Sequence, residues 1–167
     1  MRVLLVAAIT VDGKIARDDH ELTTWTSRED KRLFARVSRE AGVLIMGRAT
    51  YETLPAPLPG RLNVVMTSRP DMPVPAGVEL TGDSPERVLG RLAERGYDTV
   101  VVAGGAQIYR AFLLAGMVDE IWLTVEPLAF GRGVSLLGDE PLDLRLELLE
   151  IQRLGDRAVM LRYRVER

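Results

Sequence analysis

The chain contains no cysteine, and its single histidine is His20. Disulfides, thiolate–metal sites and cysteine nucleophiles are excluded together, and a zinc site built from His and Cys cannot form, so no metal is expected. A Ser-His-Asp triad would have to use His20, which sits in the polar run RDDHE and reads as a solvated loop residue. Positive charge is not in excess either: 22 Lys and Arg face 24 Asp and Glu, giving a net charge of −2 and a pI near 5.5. A nucleic-acid or anionic-membrane binder normally carries a basic stripe, so neither is expected as a partner. No uninterrupted apolar run is long enough to span a bilayer. The opening MRVLLVAAITVDG is apolar for only seven residues after Arg2 and turns at Asp12–Gly13. A signal peptide needs a longer core and a small-residue cleavage site, so this stretch reads as a strand and a cytoplasmic location is expected.

What is present is enough for a real core. Of 167 residues, 47% are hydrophobic and 28% charged, which suits one domain over residues 1–167. The Pro-rich stretches LPAPLPGR (54–61) and RPDMPVPAG (69–77) read as loops. Between them, strands and helices alternate. The expected strands are 3–9, 43–46, 62–67, 98–103 and 119–125. The expected helices are 27–40, a short one over 48–54, 84–95 and 105–114. The first helix puts Leu33, Phe34, Val37 and Ala41 on one face. The third is punctuated by Ser84, Pro85 and Gly96. Near the C-terminus, Leu142, Leu144, Leu146 and Leu148 alternate with polar residues, and after Gly155–Asp156 so do Val159, Leu161, Tyr163 and Val165. That is an antiparallel hairpin with one wet face. The fold expected is α/β: a mixed, mostly parallel central sheet with helices on both faces and a C-terminal antiparallel hairpin. The hairpin's exposed edge offers a surface for a homodimer.

Ligands of open α/β sheets bind outside the carboxyl ends of the strands. Gly47-Arg48-Ala49-Thr50 follows the strand at 43–46. Thr67-Ser68-Arg69 follows the strand at 62–66, and Gly104-Gly105-Ala106-Gln107 the strand at 98–103. If these strands are parallel, all three ends share one edge. Glycines let backbone approach a ligand, a helix N-terminus attracts phosphate, and arginine forks match phosphate oxygens. Each signal alone is more often a tight turn or a surface arginine. Their coincidence points to a dinucleotide, and basic Arg48 and Arg69, with no carboxylate immediately beside either, favour NADPH over NADH.

Asp30 shares the apolar face of helix 27–40. An unpaired carboxylate there is costly or shifts its pKa. Ser27-x-x-Asp30 also resembles a capping box, which would make Asp30 a helix cap. Spacing leaves the two readings equal. A carboxylate in an apolar pocket can bind an amidine-like N–C–N edge and promote protonation of a hydride acceptor.

The motifs MGRATYE (46–52), PLPGRLNVVMTSRP (57–70), VVAGGAQIYRAFL (101–113) and DEIWLTVE (119–126) resemble those of the dihydrofolate reductase superfamily, in order and over most of the chain. The resemblance implies that Asp30 is the substrate-binding acid and that Trp25 helps order a water near it. It implies a substrate pocket lined by Val6, Ala8, Phe34, Leu54, Leu58 and Thr124, with Arg61 holding the carboxylate of a folate tail. Gly47, Arg48, Thr50, Thr67, Ser68, Arg69, Gly104, Gly105, Ala106, Gln107 and Ile108 would hold NADPH, and Ile15 would lie on a mobile loop beside the nicotinamide. Arg61 also reads as a turn arginine after Pro59–Gly60, and Trp25, Phe34 and Thr124 as plain core. The Leu-Pro pair usual in folate enzymes after the tryptophan is missing from WTSREDKRLF. DGKIA and EPLAFGRGVSLL (126–137) look more like the reductase domain of riboflavin-pathway deaminase–reductases, whose deaminase half needs zinc-binding Cys and His that this chain lacks. Three expectations follow: a dihydrofolate reductase, a reductase of 5-amino-6-(5-phosphoribosylamino)uracil, or a non-catalytic NADP-binding module.

Overall fold

Alternate residues of each central strand leave for opposite sides of one sheet. On β1 (Arg2–Thr10), Val3, Leu5 and Ala7 join one apolar cluster and Leu4 and Val6 another. On β3 (Val43–Gly47), Val43 and Ile45 divide from Leu44 and Met46 in the same way. On β6 (Thr99–Val102), Val100 and Val102 divide from Val101. Strands buried on both faces read as continuous apolar runs, which is why MRVLLVAA, VLIM and VVV lack polar alternation. The computed structural model describes residues 1–18, 20–21, 23–139 and 141–166.

Helix α1 (Arg28–Ala41) covers one face with Leu33, Val37 and Ala41. Helices α3 (Pro85–Glu94) and α4 (Ala106–Leu114) cover the other with Val88, Leu89, Leu92, Tyr109, Phe112 and Leu113. The remaining elements are β2 (Lys14–Ala16), a 3₁₀ turn over Thr23–Trp25, α2 (Arg48–Glu52), β4 (Leu62–Met66), β5 (Val78–Thr81), β7 (Glu120–Glu126), β8 (Val134–Ser135), β9 (Leu146–Leu154) and β10 (Ala158–Val165). The main sheet runs β5-β4-β3-β6-β1-β7-β10-β9, and β2 pairs with β8 in a separate two-stranded ribbon. From β5 to β7 every pairing is parallel; β10 is antiparallel to both β7 and β9. The expected fold class is therefore observed.

Three local expectations are corrected. Val78–Thr81 forms a sixth parallel strand, beyond β4. It is too short, and sits too close to the Pro-rich loop, to announce itself. The hairpin starts at Leu146 rather than Leu142, because Leu142 and Leu144 turn inward against the core instead of pairing. Strand β9 has no dry face: Leu148 is 48% and Ile151 63% exposed. It is the edge strand, and its alternation registers pairing with β10 without a layer to cover it.

Candidate active site

Strand β6 stops at Val102, opposite Leu5, whereas β1 continues to Thr10 with β7 on its other side. The flank of Val6–Thr10 facing β6 is thus left open at the carboxyl end of the sheet, where neighbouring crossovers diverge and ligands settle. The Tyr109 hydroxyl crosses this opening and donates to the Val6 carbonyl at 2.8 Å. Burial pushes the Tyr109 phenol well above its ordinary pKa, and the charge of Asp30 adds to the effect.

The three strand ends singled out in the sequence meet along one rim, since β4, β3 and β6 are adjacent and parallel. The Gly47 amide donates to the Gly104 carbonyl at 2.7 Å. A Cβ on Gly47 would come within 2.9 Å of Ile108 Cγ1, and one on Gly105 within 3.4 Å of the Thr50 hydroxyl. Gly104, at φ 106°, would put a Cβ 3.3 Å from the Tyr109 ring. Backbone and the first turn of α4, with Ala106 and Gln107, are therefore presented bare at the rim. Thr67 bonds across to β5 through its amide, and its hydroxyl accepts the Arg69 amide at 3.2 Å. Ser68 and Arg69 are exposed beside it. The sequence reading left Arg48 without a neighbouring carboxylate; in the structure its Nε lies 2.6 Å from Glu52 Oε1, one helical turn on. Arg69 has no ion pair among the described residues.

On the α1 side, Asp30 is half-buried and its amide donates to the Ser27 hydroxyl at 3.2 Å. That is half of a capping box. The other half, the Asp30 side chain reaching back to the Ser27 amide, does not form, because the Ser27 amide donates to Glu126 Oε1 at 2.7 Å. The Thr124 and Thr26 hydroxyls instead favour the charged form of the Asp30 carboxylate. Burial raises its pKa and the negative charge of Glu126 adds to the rise, while the two hydroxyls and Lys31 oppose it. Asp30 is thus half-buried, with its amide in the α1 cap while its carboxylate stays off the Ser27 amide.

Val6, Phe34, Leu54 and Leu58 share the apolar cluster along α1. Ala8 lies beside Thr124 in the β1–β7 register. Asn63, 1% exposed, clasps Leu58 by bonding both its amide and its carbonyl. Trp25 ends the 3₁₀ turn with its ring edge against Phe130, and its Nε1 is buried without a partner among the described residues. At the far end of α1 the Arg61 guanidinium is held by the Pro59 carbonyl and the Ser38 hydroxyl, 9% exposed and with no carboxylate partner among the described residues. Burial, then the charge of Arg39, lowers its pKa. Ser38 follows Asp30 by eight positions on α1, so a rise of 1.5 Å per residue separates the two ends by about 12 Å. Ile15 sits on the β2–β8 ribbon, packed against the core; residues 19 and 22 of its loop lie outside the described residues.

The sequence model for the RibD C-terminal domain matches residues 2–160. The chain belongs to this family. RibD C-terminal domains are reductases of the dihydrofolate reductase-like superfamily, and the chain is similar to members on both sides of that division. It is 38% identical over 71% of its length to the dihydrofolate reductase HdrB of Haloferax volcanii, spanning 63% of that protein. It is 33% identical over 74% of its length to a type 3 dihydrofolate reductase of Salmonella typhimurium, spanning 71% of it. The Thermotoga maritima diaminohydroxyphosphoribosylaminopyrimidine deaminase/5-amino-6-(5-phosphoribosylamino)uracil reductase superposes with a TM-score of 0.81 at 18% identity. That match covers 99% of this chain but only 56% of the bifunctional protein, and it shows the shared fold.

Within this RibD-type domain three residues escaped the sequence reading. They are Tyr109, four positions beyond the Gly104–Gly105 turn, Asn63 on β4 and Glu126 at the end of β7. A carboxylate in phase with Thr124 at the end of a buried strand is the same kind of signal that drew attention to Arg48.

Proposed function

We propose that the chain is an NADPH-dependent reductase of dihydrofolate. What supports this reading is the placement of Asp30 in the first turn of α1 and of Arg61 against Ser38 near its other end, with Phe34, Leu54 and Leu58 in the apolar cluster that packs along the helix. A half-buried acid suits the N–C–N edge of a pteridine. A buried guanidinium without a counter-ion suits the carboxylate of an extended tail. In this reading Val6, Ala8, Phe34, Leu54, Leu58 and Thr124 wall the ring and the middle of the substrate, and Trp25 holds a water through its buried Nε1.

The rim fits the cofactor. The bare backbone at Gly47, Gly104 and Gly105 and the start of α4 would take the pyrophosphate, with Thr50, Gln107 and Ile108 alongside. Thr67, Ser68, Arg69 and Arg48 would take the 2′-phosphate, and Ile15 would shield the nicotinamide. NADPH, when bound, supplies the hydride. Asp30 holds the proton that the adjacent ring nitrogen gains as its neighbouring carbon is reduced, and its raised pKa keeps that proton available further toward neutral pH. Ala8 and Thr124, next to one another on β1 and β7, close the floor beneath this exchange and limit water.

A second reading is favoured by the family match and by residues 126–137: reduction of 5-amino-6-(5-phosphoribosylamino)uracil, with Arg61 facing its phosphate. A non-catalytic NADP-binding module would keep the rim alone, and Asp30, held off its own cap, argues against it. NADPH oxidation with dihydrofolate and with the aminopyrimidine, each with and without methotrexate, separates these readings. Methotrexate-sensitive oxidation with dihydrofolate alone is expected. Oxidation with the aminopyrimidine alone would replace the leading reading by the second, and binding of NADPH without turnover of either substrate would leave only the module.

A further inference from the structure

Glu126 is a buried carboxylate with an assignment to fill. It is 3% exposed at the end of β7, two residues beyond Thr124 and therefore on the same side of the strand. The Thr124 hydroxyl favours the charged form of Asp30, and Glu126 accepts from the Ser27 amide at 2.7 Å. Ser27 in turn caps α1 and accepts the Asp30 amide. Glu126 therefore reaches the acid through the helix cap that Ser27 forms. In a closed capping box, the residue three beyond the cap spends its own carboxylate on the cap amide. Here Glu126 supplies that acceptor from another element.

We propose that Glu126 is a positioning residue of the reductase: it takes the place of Asp30 in the α1 cap, so that the Asp30 carboxylate faces the site, and its charge sets the pH range over which the enzyme turns over. The proposal rests on the reading of Asp30 as the substrate acid. Other charges around the pair belong to different elements. Lys31 and Glu29 are on α1, and the Lys31 ammonium is turned to the Thr26 carbonyl. Tyr109 on α4 stays a neutral phenol through the working range. On the hairpin turn, Asp156 and Arg157 share with Glu29, Glu126 and Trp25 a cavity of about 390 Å³. Glu126 is itself buried, so its charge is less screened than a surface charge would be.

Two variants divide the proposal into its parts. Glu126→Gln keeps an acceptor for the Ser27 amide but removes the charge. Glu126→Ala removes both and leaves the amide to recapture Asp30. In Glu126→Gln, the ¹³C titration of the Asp30 carboxyl is expected to move down, and the descending limb of kcat against pH to move with it. In Glu126→Ala, kcat is expected to fall about tenfold or more at every pH while NADPH affinity, read by fluorescence, holds. Gln is expected to restore most of what Ala loses. An unmoved Asp30 titration in Glu126→Gln, or wild-type kcat in Glu126→Ala, overturns the proposal. Asp30→Asn, run alongside, reports on the underlying reading: full turnover there removes Asp30 from the chemistry, whereas lost turnover with unresponsive Glu126 variants condemns only the role given to Glu126.

Discussion

The Gly47 amide and the Gly104 carbonyl are joined by a 2.7 Å hydrogen bond. That bond ties the end of β3 to the end of β6 just past their last ladder partners, Ile45 and Val102. The two turns are consequently one surface, and the arginine that follows Gly47 cannot move independently of the diglycine.

This surface makes the two basic side chains unequal. Arg48 is engaged with Glu52 in an exposed pair, an interaction worth at most about 1 kcal/mol. Arg69 has no such engagement to break. Arg69→Ala is therefore expected to weaken NADPH by roughly 10- to 100-fold, the value of a charge-assisted phosphate contact, while leaving NADH within about twofold. Arg48→Ala is expected to act in the same direction but less strongly, and Glu52→Gln to tighten NADPH slightly by releasing Arg48. Isothermal titration with both cofactors decides. Equal losses for NADPH and NADH would remove the 2′-phosphate from this end of the rim.

Asp30→Asn is expected to lower turnover by about 10²–10⁴-fold with NADPH affinity nearly unchanged, since it removes a proton donor and no rim contact. Its effect on stability has a definite sign. The folded pKa of Asp30 lies above the ordinary aspartate value of 3.8, so from that value up to the raised one the folded state binds more protons than the unfolded state. Stability therefore falls as pH rises through that window, and the ionised acid is a liability at neutral pH. Asn carries no such liability, so thermal melts should show the variant gaining on wild type as pH increases. A variant that lost stability at neutral pH would show Asp30 to be chiefly structural.

Much of this arrangement was legible in the residues, and the reasons differ from element to element. The parallel strands were visible because burial on both faces erases polar alternation, as in Val43–Met46. The shared rim followed from parallelism alone. Asp30 was visible as an acid on an apolar stripe, but what holds it was not: Glu126 is 96 positions away from it, and nothing local reveals that a strand end will supply a helix cap. Glu52 was missed as the partner of Arg48 because α2 is so short that helical spacing was not applied to it. Val78–Thr81 has only four residues, and its place beyond β4 depends on pairing rather than on pattern. The dry face expected of β9 failed for a similar reason, since alternation does not say whether another layer lies above.

Arg61 offers a test of the tail. Its guanidinium is already desolvated and supported by Ser38 and Pro59, so little further ordering is needed when an anion arrives. Arg61→Ala is expected to raise KM for dihydrofolate by about 10- to 100-fold with kcat little changed, because the contact is the same in ground and transition states. A dihydropterin lacking the tail should be indifferent to the substitution. If KM rises equally for both, Arg61 shapes the groove through packing and the tail reading fails.

Asp12 governs the loop that carries Ile15. Its carboxylate accepts from the Thr10 hydroxyl at 2.5 Å and from the amides of Gly131 and Phe130 at 2.7 and 3.1 Å. The Thr10 hydroxyl, followed by the Gly131 amide, draws its pKa down to about 2. Beyond Asp12, Lys14 and Ala16 pair with Ser135 and Val134, and the Leu136 amide donates to Gly13. The contribution of a depressed acid is present above its unfolded pKa and is lost as pH falls through the folded one. The clamp should therefore hold from neutral pH down past 3.8 and release toward about 2. Hydrogen exchange at Gly131, Phe130 and Leu136 is expected to stay slow across that interval in wild type. In Asp12→Asn it should be faster at all pH values, with NADPH affinity reduced several-fold because Ile15 is no longer held in place. Gly133→Ala provides an uncharged control: its Cβ would fall 2.3 Å from the Ala16 carbonyl, so it should open the same ribbon without altering the pH dependence at Asp12. Exchange in Asp12→Asn matching wild type would show that strand pairing alone keeps the loop closed.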